Sequence, residues 1–274
     1  GLNTEINNLD LGTEGSLNVY GGRLEVNGAL SGDDGLLNVE GAGQIWVDGS
    51  DGSDLDIMVS GGRFANTGNF SGADMTATDG DVILGTDNGS YQVGAGHTLS
   101  IDGDASVGFD DNDGDLAILD LDAGATLGLS VGDNGQLGEI SEFRSGAFGD
   151  YDTDVQSGID LDGTLSINLG GLSASGNSLV LMSADEISGL FDEAMVDGLG
   201  ARNANIVVDY INDTVTLELS SGNGSVSIET VGEEADVSTG ADALWQALTA
   251  DQGIIEGQLP VDAEEQDETL LDVA

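Results

Sequence analysis

The chain has no cysteine, a single proline near its end (Pro260) and only 4% aromatic residues. The missing cysteine removes disulfides, zinc-thiolate centres and thiol nucleophiles together. It does not fix the compartment, because repeat arrays need no disulfide staples. Positive charge is equally scarce. The basic residues are Arg23, Arg63, Arg144 and Arg202, with one histidine, His97; 52 acidic residues oppose them, for a formal net charge of -48. Phosphate recognition needs clustered Lys and Arg, so nucleic acid is excluded as a partner. An anionic membrane surface is disfavoured for the same reason. No apolar run reaches the length of a membrane-spanning helix, and no membrane insertion is expected. The start at Gly1, without a basic, apolar leader, is expected to be a processed end or the start of an excised piece.

What is present argues against wholesale disorder. Hydrophobic residues make up 39% of the chain, and they fall in short, regular groups. The segment Val19 to Asp34 matches Val59 to Asp74 at half of its sixteen positions, 40 residues on. Leu17-Asn-Val19 recurs as Leu37-Asn-Val39, and Gly21 as Gly41, 20 residues on. The unit is therefore about 20 residues. Within it, apolar-x-apolar groups (Leu17/Val19, Leu24/Val26, Leu37/Val39, Ile45/Val47, Ile57/Val59, Val82/Leu84, Leu99/Ile101) alternate with Gly, Asn, Asp and Ser. Period-two alternation puts both apolar side chains on one face. Gly and Asx residues supply positive-φ corners. Such short strands bury a core only when stacked row on row. The expected fold is all-β: a right-handed parallel β-helix (β-solenoid) with coils of about 20 residues. A β-sandwich is the rival, but its strands are longer and need no such repeat.

Strand-like runs continue at Ile159–Leu161, Leu165–Leu169, Leu179–Met182, Ile206–Tyr210 and Val215–Leu219. The stretch Leu179-Val-Leu-Met182, Ile187-Ser-Gly-Leu-Phe191, Val207-Val-Asp-Tyr210 and Val215-Thr-Leu-Glu-Leu219 is telling. It makes residues 115–219 resemble the C-terminal part of autotransporter-type passenger domains. The resemblance implies a right-handed parallel β-helix displayed outside the cell, and it names no catalytic residue. A membrane β-barrel follows in that family; no such segment is expected within these 274 residues, so a different secretion or anchoring route, or a form that ends earlier, is expected.

Three regions are expected: a solenoid over 1–219, a terminal strand and capping helix over 220–260, and an acidic tail over 261–274. Ser225 to Val231 reads as one more strand. Ser238 or Thr239 can N-cap a short helix running to Thr249, with Leu244, Trp245 and Leu248 as its apolar stripe and Gly253 beyond it.

Asp110, Asp111, Asn112, Asp113 and Asp115 are the candidate metal ligands. Clustered carboxylate and amide oxygens beside a turn glycine suit Ca²⁺, a hard cation that takes six to eight oxygens. The helix-loop-helix calcium pattern fails, because Phe109 stands where its first Asp belongs. Asp48 to Asp54 and Asp33-Asp34 are weaker candidates of the same kind. Arg23 and Arg63 hold equivalent repeat positions, and each is expected to pair with a nearby carboxylate. His97 follows Gly94-Ala-Gly96 at a corner, with no Gly-x-Ser-x-Gly elbow to make it catalytic.

The expected function is non-enzymatic: a secreted or cell-surface structural protein, a subunit of a homo-oligomer, filament, surface layer or matrix. Divalent cations, with Ca²⁺ as the candidate cofactor, are the expected partners. An adhesin that binds a glycan is the second reading. A polysaccharide lyase or hydrolase is the third, and it would call for positive charge that this chain lacks.

Overall fold

The computed structural model describes residues 3–50, 54–85, 89–109, 116–142, 156–170, 172 and 178–232. All of them fall in one unit, Gly1–Glu234. The segment expected to be a helix (238–249) and the acidic tail lie outside the described residues.

The first strands are β1 (Asn3–Ile6), β2 (Leu9–Thr13), β3 (Ser16–Asp33), β4 (Gly35–Ser50), β5 (Leu55–Asn66), β6 (Asn69–Phe70) and β7 (Ala73–Ile83). Shorter ones follow: β8 (Ser90–Val93), β9 (Thr98–Asp102), β10 (Ala105–Phe109), β11 (Leu116–Leu121), β12 (Thr126–Ser130), β13 (Ile140–Glu142), β14 (Gln156–Leu161) and β15 (Thr164–Asn168). The last are β16 (Ser178–Ser183), β17 (Glu186–Gly189), β18 (Glu193–Asp197), β19 (Arg202–Asp209), β20 (Thr214–Ser221) and β21 (Val226–Val231). No helix occurs among the described residues. The fold is all-β, mostly parallel, in sheets of 16 and five strands.

Alternation explains the pairing. Leu17, Leu37, Ile57, Met75, Leu99, Leu127, Leu165 and Ala194 are partners in one row across β3, β4, β5, β7, β9, β12, β15 and β18. Val19, Val39, Val59, Ala77, Ile101, Leu129, Ile167 and Val196 form the row two residues further on. Both rows face the core; only their end members Leu17, Ala194 and Val196 are partly buried. The step is 20 residues from Leu17 to Leu37 and on to Ile57, as the repeat predicts. It then ranges from 18 (Ile57 to Met75) to 38 (Leu127 to Leu165), because the connections change length while the paired rows persist.

The larger sheet bends into a second wall. There Leu24, Ile45, Phe64, Val82, Val107, Ile140 and Met182 are in register. The bend recurs in β3, β4, β5 and β7, where glycines at positive φ fall beside irregularities in the register. Gly80 shows the need for glycine: its φ is 94, and a Cβ would lie 2.3 Å from the Gly62 carbonyl oxygen. The smaller sheet is the third wall, with Phe70, Tyr91, Leu119, Ile159 and Ile187 inward. Phe70 stacks on Tyr91 at 5.5 Å and meets Phe64 edge-on at 5.6 Å. Each buried aliphatic or aromatic side chain contributes about 1.5–3 kcal/mol of burial energy.

Parallel pairing changes after β16. β20 joins β16 antiparallel, β19 joins β20 antiparallel, and β21 runs parallel to β19 and reaches β18. Ala204, Ile206, Val208, Val215 and Leu217 are buried beneath these strands. The Tyr210 hydroxyl donates to the Gly189 carbonyl at 2.6 Å, and Ile187 and Phe191 on either side of Gly189 are buried. The strand runs expected between residues 159 and 231 fall in β14, β15, β16, β19, β20 and β21; β14 begins three residues and β19 four residues before the expected start, and the other ends differ by one or two residues at most. β17 and β18 were not marked as strands by the sequence.

Candidate functional site

Outward positions carry the polar side chains, so surface chemistry repeats from row to row. Three clusters result.

The first surrounds His97. Gly96, at φ 87, turns the chain into β9 and sets His97 against the starts of β5 and β7. The imidazole Nε2 is 3.6 Å from an Asp54 oxygen, and Nδ1 is 3.6 Å from one of Asp74. Asp74 also accepts the Thr98 N–H at 2.6 Å. Asp34, Asp54, Asp56, Asp74 and His97 line a cleft of about 360 Å³. The corner was foreseen from Gly94-Ala-Gly96; the flanking carboxylates were not, because they come from other rows. Beneath lies Tyr91, whose buried phenol is pushed far above its ordinary range by desolvation, then by the charge of Asp74.

The second cluster is a ladder of carboxylates on the third wall. Asp120 is the register partner of Asp160, and Asp122 and Asp162 follow two residues on. The Gln92 amide donates to Asp120 and Asp122 at 3.3 and 3.1 Å. The Ser188 hydroxyl donates to Asp160 at 3.0 Å. Asp120 is held above the usual carboxylate range by burial first, then by the charges of Asp122 and Asp160. Sequence reasoning missed this ladder. Its signal was visible: Asp-Leu-Asp at 120–122 recurs at 160–162, again 40 residues on.

The third cluster lies on the second wall. Arg23 and Arg63 sit two strands apart in one row, with Gln44 between them. Each does pair with a carboxylate: Arg23 with Glu25 at 3.1 Å, Arg63 Nε with Asp81 at 3.1 Å. The Arg23 guanidinium also lies 4.4 Å over the Trp46 ring. Arg202 instead caps the carbonyls of Leu199 and Gly198, both at 3.1 Å.

Asp110, Asp111, Asn112, Asp113 and Asp115 lie outside the described residues. Among the described residues, no group of three or more His, Asp or Glu side chains has the arrangement of a metal site. The carboxylates of the His97 cleft and of the ladder therefore line surfaces without converging on a point. No family model matches this chain, and no similar curated protein or solved structure was found. Function must be argued from these side chains. His97 faces a carboxylate from each ring nitrogen, at 3.6 Å on either side. The carboxylate rows attract cations. The Arg23–Trp46 pair presents an aromatic and a set of planar polar groups.

Proposed function

We propose that this chain is a non-catalytic structural protein of the cell surface or extracellular space. Its described rows are read as a right-handed parallel β-solenoid with coils of about 20 residues, lengthening toward the C-terminal side, that assembles as a subunit of a filament, surface layer or matrix. The observation that carries this reading is the unbroken register of inward rows through eight parallel strands. Such rows build a long core from a short repeat. The right hand follows from the strong preference of parallel crossover connections for that hand. The resemblance to autotransporter-type passenger domains agrees with display outside the cell, as does an acid-rich, lysine-free composition suited to saline water.

Assembly needs unpaired edges and a means of overcoming charge. Among the described residues, β1 and β2 each pair on one side only, with β3. Their free N–H and C=O groups can pair with a strand of another copy. Charge opposes that contact, so cations, Ca²⁺ among them, are its partners. Sedimentation velocity of the full chain in saline with 10 mM Ca²⁺ (a concentration of about that order exceeds weak extracellular sites), against the same saline with chelator, tests the proposal. Concentration-dependent assemblies in Ca²⁺ are expected. A strictly monomeric chain in both buffers overturns it.

A further inference from the structure

The geometry points to a glycan-binding subsite on the second wall, centred on Trp46 and Arg23 and selective for a neutral sugar chain. This goes beyond the structural role and does not rest on self-association. Arg23 is the shared wall of two clefts. One, of about 260 Å³, is bounded by Arg23, Glu25, Asn27, Trp46, Asp48 and Thr67. The other, of about 430 Å³, is bounded by Asn3, Gly22, Arg23, Ala42 and Gln44. Two neighbouring clefts divided by one side chain suit successive units of a polymer better than one compact ligand.

The lining chemistry selects the class. A pyranose offers an apolar C–H face and a rim of hydroxyls that both donate and accept. Trp46 supplies apolar aromatic surface, and Arg23 is stacked on it, which fixes both side chains. Asn3, Asn27 and Gln44 can donate and accept, Glu25 and Asp48 accept, and Arg23 donates in a planar fork. Tryptophan and arginine are also the residues on which binding energy concentrates. Charge decides between neutral and anionic glycans. The Arg63–Asp81 pair cancels and Arg23 is answered by Glu25, while Asp48 adds a further negative charge to the cleft, so the site offers a polyanion no net positive charge. The whole chain carries -48 and repels a polyanion. A neutral polysaccharide meets neither repulsion nor a demand for more cations.

Affinity electrophoresis of the full chain tests this, in native gels cast with dextran, mannan or a mixed-linkage β-glucan, and in parallel with polygalacturonate. Retardation by at least one neutral polymer and none by polygalacturonate is expected. Trp46→Ala and the exposed-site variant Asp48→Ala should each weaken retardation at least tenfold, and Trp46→Phe should retain part of it. Met58→Ala, at an outward position of β5 and 43% exposed, should leave it unchanged. Thermal melts establish that each variant is folded; should Trp46→Ala not fold, Asp48→Ala and Trp46→Phe decide. No retardation by any of the three neutral polymers overturns the proposal, as does retardation that survives Trp46→Ala and Asp48→Ala, or a preference for polygalacturonate. Sedimentation without polysaccharide reads self-association separately, so either proposal can fail alone.

Discussion

Asp120 stands in a row with Asp160, beside Asp122, and partly out of water. Its folded pKa is raised above the unfolded value. Between those two values the folded chain holds a proton that the unfolded chain has lost, so stability rises as pH falls through that interval. Above it, the charged carboxylate opposes folding. Asp120→Asn should therefore stabilise the protein at pH 7 (a value near neutrality, well above the carboxylate range). The gain should be about 0.5 kcal/mol, within the range for directly opposed cross-strand pairs and no more, because solvent screens a half-exposed carboxylate. Urea melts at neutral pH and again below the carboxylate range check this: the gain should vanish at the lower pH. A variant less stable than the parent at neutral pH would mean that the Gln92 bond outweighs the repulsion. The ladder shows where residue-level reading stops. Asp-Leu-Asp told which face each Asp takes. It did not tell that two copies 40 residues apart become neighbours, because an irregular connection sets that pairing.

Corners and closures decide the elements. Leu17, Val19, Leu37, Val39, Ile57 and Val59 were legible as inward rows because alternation and a constant step agree. Beyond β5 the step changes, and only pairing reveals the row. β18 was illegible for a physical reason: Ala194 and Val196 end their rows only partly buried, so its alternation is weak. At the bend, Gly80→Ala should cost about 1–3 kcal/mol, since φ 94 is strained for any L side chain and the Gly62 oxygen stands in the Cβ position. A thermal midpoint equal to the parent's would show that the bend can relax. At the antiparallel closure, Tyr210→Phe removes the bond to the Gly189 carbonyl. A loss of about 1 kcal/mol in urea is expected. Hydrogen exchange should rise in β17, which holds Gly189, and at the end of β19, just before Tyr210, more than in β9 or β12.

At the scale of the molecule, 52 acidic residues against four basic ones make repulsion the dominant long-range term. Rows about 4.8 Å apart place carboxylates of neighbouring strands well inside the Debye length of about 8 Å at physiological ionic strength. Repulsion between adjacent rows is thus only partly screened in ordinary saline. It is screened further as salt rises and removed as protons bind. Two consequences differ in sign from those of a protein held by surface ion pairs. Added NaCl should raise the thermal midpoint, with the steepest rise at low concentration, whereas surface ion pairs weaken with salt. Lowering pH toward the isoelectric point near 4.1 should promote self-association without added calcium, because net charge is what keeps copies apart. Protons and cations then act on one quantity, the charge at the contact. Light scattering across a pH titration in chelator, followed by return to neutral pH, separates this from collapse. Reversible scattering with unchanged β-sheet circular dichroism supports charge-controlled assembly of the folded chain. Scattering that persists on return, or that appears only after the sheet signal is lost, would place aggregation of unfolded chains in its stead.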